Sequence, residues 1–579
     1  MIKKLAASVR QYLLPTIITP ICMVGEAVME VLIPFYMADL IDYGIDVGDM
    51  ASIKSIGLKL CVLAVISLLC GILGAKYAAV ASVGFAANLR HDMYQKIQRF
   101  SFANIDKFSS AGLVTRLTTD VTNVQMAYMM MTRMMFRAPT MLIFALIMAF
   151  RINRRMALIF FAVAPVLAFG IAILAKKAFP LFEKLFKVYD RLNNVVQENL
   201  RGIRVVKAFV REDHESEKFH GVAEDLYDTN VRAETIMAFS QPIMQVCMYT
   251  CMLLISWIGA RLIVVGDMST GQLMTFNTYI MQILMSLMMF SIVIVMFTIA
   301  GAAARRIVEV LDEEPSINNP ENPITEINSG SVEFRNVSFG YSEGKNCLRN
   351  INLSIKSGET IGIIGGTGSG KSSLVQLIPR LYDVSEGSVL VDGKDVRDLH
   401  IKELRKHVAM VLQKNLLFEG TVASNLKWGK EDATAEEMEH AARLACADEF
   451  ITRLEGGYDA VIEQGGANVS GGQRQRLCIA RALMASPSIL ILDDSTSAVD
   501  TATEKKIREG LAEFMPQATK IIIAQRISSV KDADRIVVID NGEISGIGTH
   551  EELLAGNQIY REVYESQNKG GDFDAPAKE

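Results

Sequence analysis

Aromatic side chains make up only 7% of this sequence, and its 8 cysteines (Cys22, Cys61, Cys70, Cys247, Cys251, Cys347, Cys446 and Cys478) contain no CxxC pair. That scarcity excludes a disulfide-stapled small domain and offers no zinc-type ligand spacing. Most of the cysteines lie in apolar runs, where a thiol is a small buried hydrophobe in a reducing compartment. No basic excess exists either: 59 Lys and Arg stand against 64 Asp and Glu, a net charge of −5, so no whole-chain field attracts nucleic acid. What is abundant is apolar. Half of the 579 residues are hydrophobic, Met reaches 30, and the mean hydropathy is +0.26, yet 21% of the chain is charged. Such a mixture fits a chain partly in lipid and partly in water, too long for a single core.

A spanning helix takes about 20 apolar residues. Six stretches qualify, near 14–40, 56–82, 131–150, 156–176, 240–266 and 272–300. Two long charged segments between them, roughly 84–130 and 177–239, are expected to run as helices into the cytosol and return. The N-terminal apolar run continues to about Leu40 with no early small-residue cleavage site, so it reads as an uncleaved first span. Lys and Arg crowd the N-terminus and both long segments, whereas Asp39, Asp42, Asp46 and Asp49 crowd the first short loop. The positive-inside rule then places the N-terminus in the cytosol, although Arg151, Arg154 and Arg155 in the third loop run against it. Arg133 and Arg137 are spaced i, i+4 at the start of the third span, either facing a cavity or snorkelling to the interface. Met281, Met285, Met288 and Met289 share one helical face in the sixth span, an adaptable apolar surface or a packing seam.

Beyond Pro315, Pro320 and Pro323 the pattern changes to short apolar strands alternating with helices, the signature of an α/β nucleotide domain. The expected organisation is a transmembrane domain over 1–300, a linker over 301–330, an α/β P-loop domain over 331–565 and a flexible tail over 566–579. A strand at Thr360–Ile364 runs into Gly365, Gly366, Thr367, Gly368, Ser369, Gly370, Lys371 and Ser372, a complete GxxxxGK[ST] loop followed by Ser373 and a helix. Glycines there let successive backbone N–H groups turn toward phosphate oxygens, Lys371 reaches the terminal phosphates of ATP, and Ser372 holds Mg²⁺. A second apolar strand ends in Asp493, the carboxylate for the same Mg²⁺, with Asp494 where a general base would sit. Between them, Val469, Ser470, Gly471, Gly472 and Gln473 precede a helix and make another anion cradle.

The order of Gly365–Ser372, Gln413, Val469–Gln473, Asp493 and Ser497-Ala-Val-Asp500 resembles an ATP-binding cassette (ABC) domain. With six preceding spans the whole chain is similar to a half-transporter of the type IV ABC exporter class. The resemblance implies that Tyr341 stacks on adenine and that Gln413 links Mg²⁺ to the membrane domain. It also implies that Val469–Gln473 contacts ATP held by an opposite subunit and that Asp500 closes the D-loop. Segments near Ser109–Asp120 and Gln197–Phe219 resemble the family's coupling loops.

Two departures stand out. The family's catalytic Glu is Asp494, one methylene shorter, and its switch His is Gln525, which cannot share a charged proton. Gln464 also stands where a Glu is common. Both major losses fall on the site built on this chain's own phosphate loop, while the signature departs only at Val469. The expectation is the degenerate-site half of a heterodimeric exporter of apolar or amphipathic compounds in a bacterial plasma membrane, among membrane lipid. Its partner is a second half-transporter carrying the usual Glu and His. The alternatives are a homodimeric lipid flippase and a nucleotide-gated regulatory membrane protein.

Overall fold

The computed structural model describes residues 1–341, 344–495 and 499–569, leaving aside the side chains at scattered helical positions from 159 to 299 and at 568–569. Contacts divide the chain into two compact units: Met1–Ile97 with Ala111–Asp312, and Gln98–Ser110 with the chain from Glu313 onward.

The first unit is helical. Its helices include α1 (Leu13–Asp39), α2 (Met50–Gln98), and, beyond the short α3 (Phe102–Phe108) of the second unit, α4 (Val121–Ile152), α5 (Arg154–Arg201), the short α6 (Ile203–Ala208), α7 (Glu212–Ala238), α8 (Ser240–Val265) and α9 (Thr270–Asp312). Among the described residues, five helical stretches are long and apolar enough to cross a membrane: Arg10–Ile45, Met50–Gln98, Ser110–Ile152, Glu212–Val265 and Thr270–Phe290. The span expected near 156–176 falls on α5, where most apolar side chains lie outside the described set.

Helices α1, α4 and α9 pack on one another. Val31, Ala145, Met148, Ala149, Phe276, Tyr279, Ile280 and Ile283 are buried in the cluster that joins them with α8. Pro34 explains part of this seam. A proline inside a helix has no N–H to give the carbonyl four residues back. In lipid that orphaned oxygen must find another donor. The Glu30 carbonyl accepts from Gln282 Nε2 at 3.0 Å, Val31 from the Tyr279 hydroxyl at 2.9 Å, and Pro34 itself from Thr275 Oγ1 at 2.7 Å. Gln282 of α9 thus answers the carbonyl that Pro34 frees on α1, and Tyr279 and Thr275 add two bonds along the same seam.

Arg137 is ion-paired. Its Nη2 donates to both oxygens of Glu30, at 2.8 and 2.9 Å, with Glu26 3.6 Å away. Those partners lie on α1, more than a hundred residues distant, which is why local spacing could not reveal them. At the other end of this unit, Asp42 accepts from Ser269 Oγ and from the Gly271 backbone N–H at 2.9 Å, a carboxylate at the start of α9. Asp120, 1% exposed, receives Arg306 Nε at 2.7 Å.

Two boundaries differ from expectation, those of the linker and the tail. The linker expected over 301–330 is helical to Asp312, because its Ala, Arg, Glu and Leu residues favour helix until Pro315 stops it. A short helix, Phe102–Phe108, precedes the segment near Ser109–Asp120, which itself opens on the helix Ser110–Thr115; Ser101 and Asn104 form a reciprocal capping box, and Ser109 ends the first helix at φ +56. The tail expected from 566 is helical to Lys569, and residues 570–579 lie outside the described set.

In the second unit, β1 (Val332–Phe339), β2 (Leu348–Ile355) and β4 (Glu386–Val391) form an antiparallel sheet, with β1 between the others. The larger sheet joins β3 (Thr360–Gly365), β5 (Val408–Val411), β6 (Ile489–Asp493), β7 (Thr519–Ile523), β8 (Arg535–Asp540) and β9 (Glu543–Gly548) in the order β9-β8-β3-β7-β6-β5. All neighbours are parallel except β8 and β9. Every residue of β6 and β7 is buried, as strands covered on both faces require.

Candidate functional site

In a parallel sheet, groups that follow the strands emerge along one edge, where ligands bind. Four consecutive strands, β3, β7, β6 and β5, here deliver the phosphate loop, Gln525, Asp494 and Gln413. The register aligns Ile363, Ile523 and Asp493 across three of them.

Two loop glycines are forced by packing. A Cβ at Gly365 would lie 2.1 Å from the Ile539 carbonyl oxygen, and Gly370 adopts φ +99 with Leu348 2.7 Å from where its Cβ would be. Over Gly366 and Gly368 a Cβ would meet nothing within 4 Å, which leaves open space beside the exposed Thr367. Ser369 Oγ is buried and, among the described residues, has no hydrogen-bond partner. Among the described residues, Lys371 Nζ donates to its own loop, to the carbonyls of Gly365 (2.9 Å) and Gly366 (2.8 Å). An open cradle, an unsatisfied hydroxyl and a cation turned into the loop fit a polyphosphate. Ser372 Oγ donates to Asp493 Oδ1 at 2.9 Å. Two hard oxygen donors side by side suit Mg²⁺, which keeps waters and phosphate oxygens for its remaining positions.

Asp494 sits at φ +48, an uncommon conformation for a non-glycine residue, held by its N–H to the Ile523 carbonyl at 3.1 Å. Gln525 Nε2 donates to Asp494 Oδ2 at 2.7 Å, and Gln413 hydrogen-bonds the same carboxylate. Burial raises the Asp494 carboxyl above its ordinary range, more than these amides and Lys371 lower it. Burial likewise raises Asp493, against the pull of Ser372 and Lys371, and lowers the Lys371 ammonium. Every charge in the site is therefore desolvated, the condition under which electrostatics act most strongly on a ligand.

Tyr341 is half exposed. Its hydroxyl meets Ser373 Oγ at 2.9 Å and donates to Gln376 Oε1 at 3.3 Å, so the ring is tied to the helix Lys371–Gln376. Tyr382 meets Tyr341 edge to face at 5.2 Å between centroids and donates to Asp106 Oδ2 at 2.7 Å. Phe102 lies 6.0 Å from the same ring. Neither Tyr382 nor Asp106 carries a motif, so only the fold connects them with Tyr341.

The signature residues stand apart. Ser470 N-caps the helix Gly471–Met484, accepting from Gln473 N–H at 3.3 Å while its own N–H donates to Gln473 Oε1 at 2.9 Å. Val469 is buried beneath it, and Gly471 and Gly472 form the first turn. Among the described residues no hydrogen bond joins Val469–Gln473 to the phosphate loop of the same chain. Asp500 accepts from Thr503 N–H at 2.9 Å and caps the helix Thr501–Phe514, while residues 496–498 lie outside the described set.

Comparison with known proteins bears on both units. Residues 16–287 match the family model for the ABC transporter transmembrane region, and residues 348–497 match that for the ABC transporter. An uncharacterized ABC transporter ATP-binding protein, YfiB, of Bacillus subtilis is 39% identical over 98% of each chain. An ATP-dependent lipid A-core flippase of Desulfotalea psychrophila is 34% identical over 98% of this chain and 99% of its own. The solved structure of a bacterial Atm1-family ABC exporter with ATP bound superposes with a TM-score of 0.80 at 24% identity, over 96% of this chain and 99% of that one.

Proposed function

This chain belongs to the ABC transporters, an exporter with its helical membrane region and ATP-hydrolysing cassette on one polypeptide, and from that premise we propose that it is the nucleotide-holding half of a heterodimer. Its partner is a second half-transporter with Glu and His where this chain has Asp494 and Gln525. The cargo is apolar or amphipathic and the site of action is a bacterial plasma membrane.

The observation that carries this reading is the Gln525–Asp494 hydrogen bond. A general base must have a lone pair free to polarise water. Here one carboxylate oxygen is engaged by a neutral amide, which donates a hydrogen bond yet cannot carry a proton away. Tyr341 stacks on adenine, Gly365–Ser373 and Lys371 hold the phosphates, and Asp494 with Gln525 retains ATP with little turnover. Ser372 and Asp493, with Gln413 as the family's link to the metal, would hold Mg²⁺, which would neutralise charge on the phosphates. Val469–Gln473 is left to complete the partner's site, and Asp500 to close the loop beside it. Apolar cargo is supported by a cavity of about 260 Å³ lined by Met248, Met252, Ile280 and Met281 with Asn277 and Thr278.

The test is a tagged pull-down of this chain from its native membranes, with the stoichiometry of co-purifying proteins measured. A second half-transporter in equal amount is expected. In the purified pair, Asp494→Asn with Gln525→Ala should leave most ATP turnover in place, whereas replacing the partner's Glu should abolish it. Equal loss from both would overturn the proposal. The full-length similarity to a lipid flippase favours a second reading, a homodimer that moves lipid. Recovery of this chain only with itself, with turnover stimulated by lipid, would establish that reading instead.

A further inference from the structure

The last helix of the cassette, α10 (Gln558–Lys569 in the numbering of this chain, lying beyond the motifs discussed above), reaches back to the switch segment. Gln567 sits on it and makes two hydrogen bonds to backbone. Its Nε2 donates to the Gln525 carbonyl at 2.8 Å, and its Oε1 accepts from the Ile527 N–H at 2.9 Å. One side-chain amide therefore spans Arg526, satisfying the carbonyl before it and the N–H after it. A bracket of this kind fixes the backbone that carries Gln525.

The bracket has a firm base. Tyr560, two helical turns earlier and on the same face as Gln567, is fully buried in the cassette core. Its hydroxyl pairs with His550 Nδ1 at 2.7 Å, and its N–H donates to Asn557 Oδ1 at 2.9 Å. The path runs from the core through Tyr560 and Gln567 to the Gln525 backbone, and from the Gln525 side chain to Asp494.

We propose that Gln567 is a positioning residue for the ATP site, acting only through Gln525: it holds the switch backbone so that the Gln525 amide reaches Asp494. The inference rests on the reading of Asp494 and Gln525 as a nucleotide-holding pair. A residue that acts through another has a recognisable energetic signature, because its effect disappears once the intermediary is removed.

The experiment uses the exporter as purified from native membranes, loaded with 8-azido-ATP under non-hydrolysing conditions and chased with unlabelled ATP. Label photo-crosslinked to this chain reports retention at its own phosphate loop. Gln525→Ala should shorten retention by about tenfold or more, the effect of losing one hydrogen bond to a charged group. Gln567→Ala should shorten it by a similar factor. In the Gln525→Ala background, Gln567→Ala should add nothing. Melting temperature is followed in parallel, because a merely structural role would lower it equally in both backgrounds. If Gln525→Ala matters while Gln567→Ala is silent, or if the two effects multiply, the positioning role is overturned alone. If Gln525→Ala itself leaves retention unchanged, the nucleotide-holding reading falls and takes this inference with it.

Discussion

Asp493 shows how a single residue can be costly to the fold and necessary to the site. Its carboxyl is raised by burial, so the folded chain binds that proton more tightly than the unfolded chain does. Between the ordinary carboxylate value of about 3.9 and the raised one, the unfolded state holds fewer protons, and stability falls as pH rises through that window. At neutral pH the charged form is a burden, which the proposed function explains by a role in holding Mg²⁺. Asp493→Asn is therefore expected to raise the melting temperature of nucleotide-free protein while weakening Mg-ATP binding at least tenfold, the trade-off between stability and function at one atom. In wild type, Mg-ATP affinity should begin to fall at a higher pH than an exposed aspartate would dictate. Thermal melts in EDTA and Mg-ATP titrations from pH 7 downward check both statements. At this scale much was legible beforehand. The phosphate loop, Asp493, Asp494 and Gln525 all follow contiguous motifs. The partners of Gln525 were not, since Gln567 lies 42 residues further along and a lone glutamine on a terminal helix carries no pattern.

Among the elements, helix α1 depends on α9 for its own hydrogen bonding. Gln282→Leu would leave the Glu30 carbonyl without a donor, at a cost of about 1 kcal/mol. The proline is the reason, so Pro34→Ala, which restores a backbone N–H, should make Gln282→Leu nearly neutral. A double-mutant cycle in detergent or bilayer unfolding measures this directly, and additive effects would show that Gln282 acts by another route. The spans were visible in hydropathy because lipid demands long apolar runs, and the strands because buried parallel sheet demands Ile, Val and Leu. What hydropathy cannot show is which carbonyl a proline frees and which distant side chain answers. The same limit hid Glu26 and Glu30 as the partners of Arg137. It also hid α3, whose ends are set by Ser101 and Ser109 rather than by any apolar period.

For the whole molecule, division into two contact-dense units predicts unfolding that is not two-state. Calorimetry should resolve two transitions, and Mg-ATP at 100-fold above its Kd should stabilise the cassette's transition by about 2.7 kcal/mol. A single transition, shifted as one by nucleotide, would mean that the units unfold as one cooperative body. The broad organisation was legible from composition alone, a lipid half followed by a water-soluble half. The exact seam was not, because helix propensity carries α9 on to Asp312 and Gln98–Ser110 joins the later residues.

The order of strands in the larger sheet has a consequence for synthesis on the ribosome. Along the chain the site arrives as phosphate loop, Gln413, Asp494 and Gln525, but across the sheet β7 stands between β3 and β6. The central strand is thus made after both of its neighbours. A nascent cassette has a gap where β7 belongs until residue 523 has left the exit tunnel, and the switch backbone has no bracket until residue 567 follows. At roughly 5–20 residues per second, that last stretch takes a few seconds. Until it is complete the phosphate loop has been translated but has nothing to work with, so a prematurely terminated chain would occupy the membrane without trapping nucleotide.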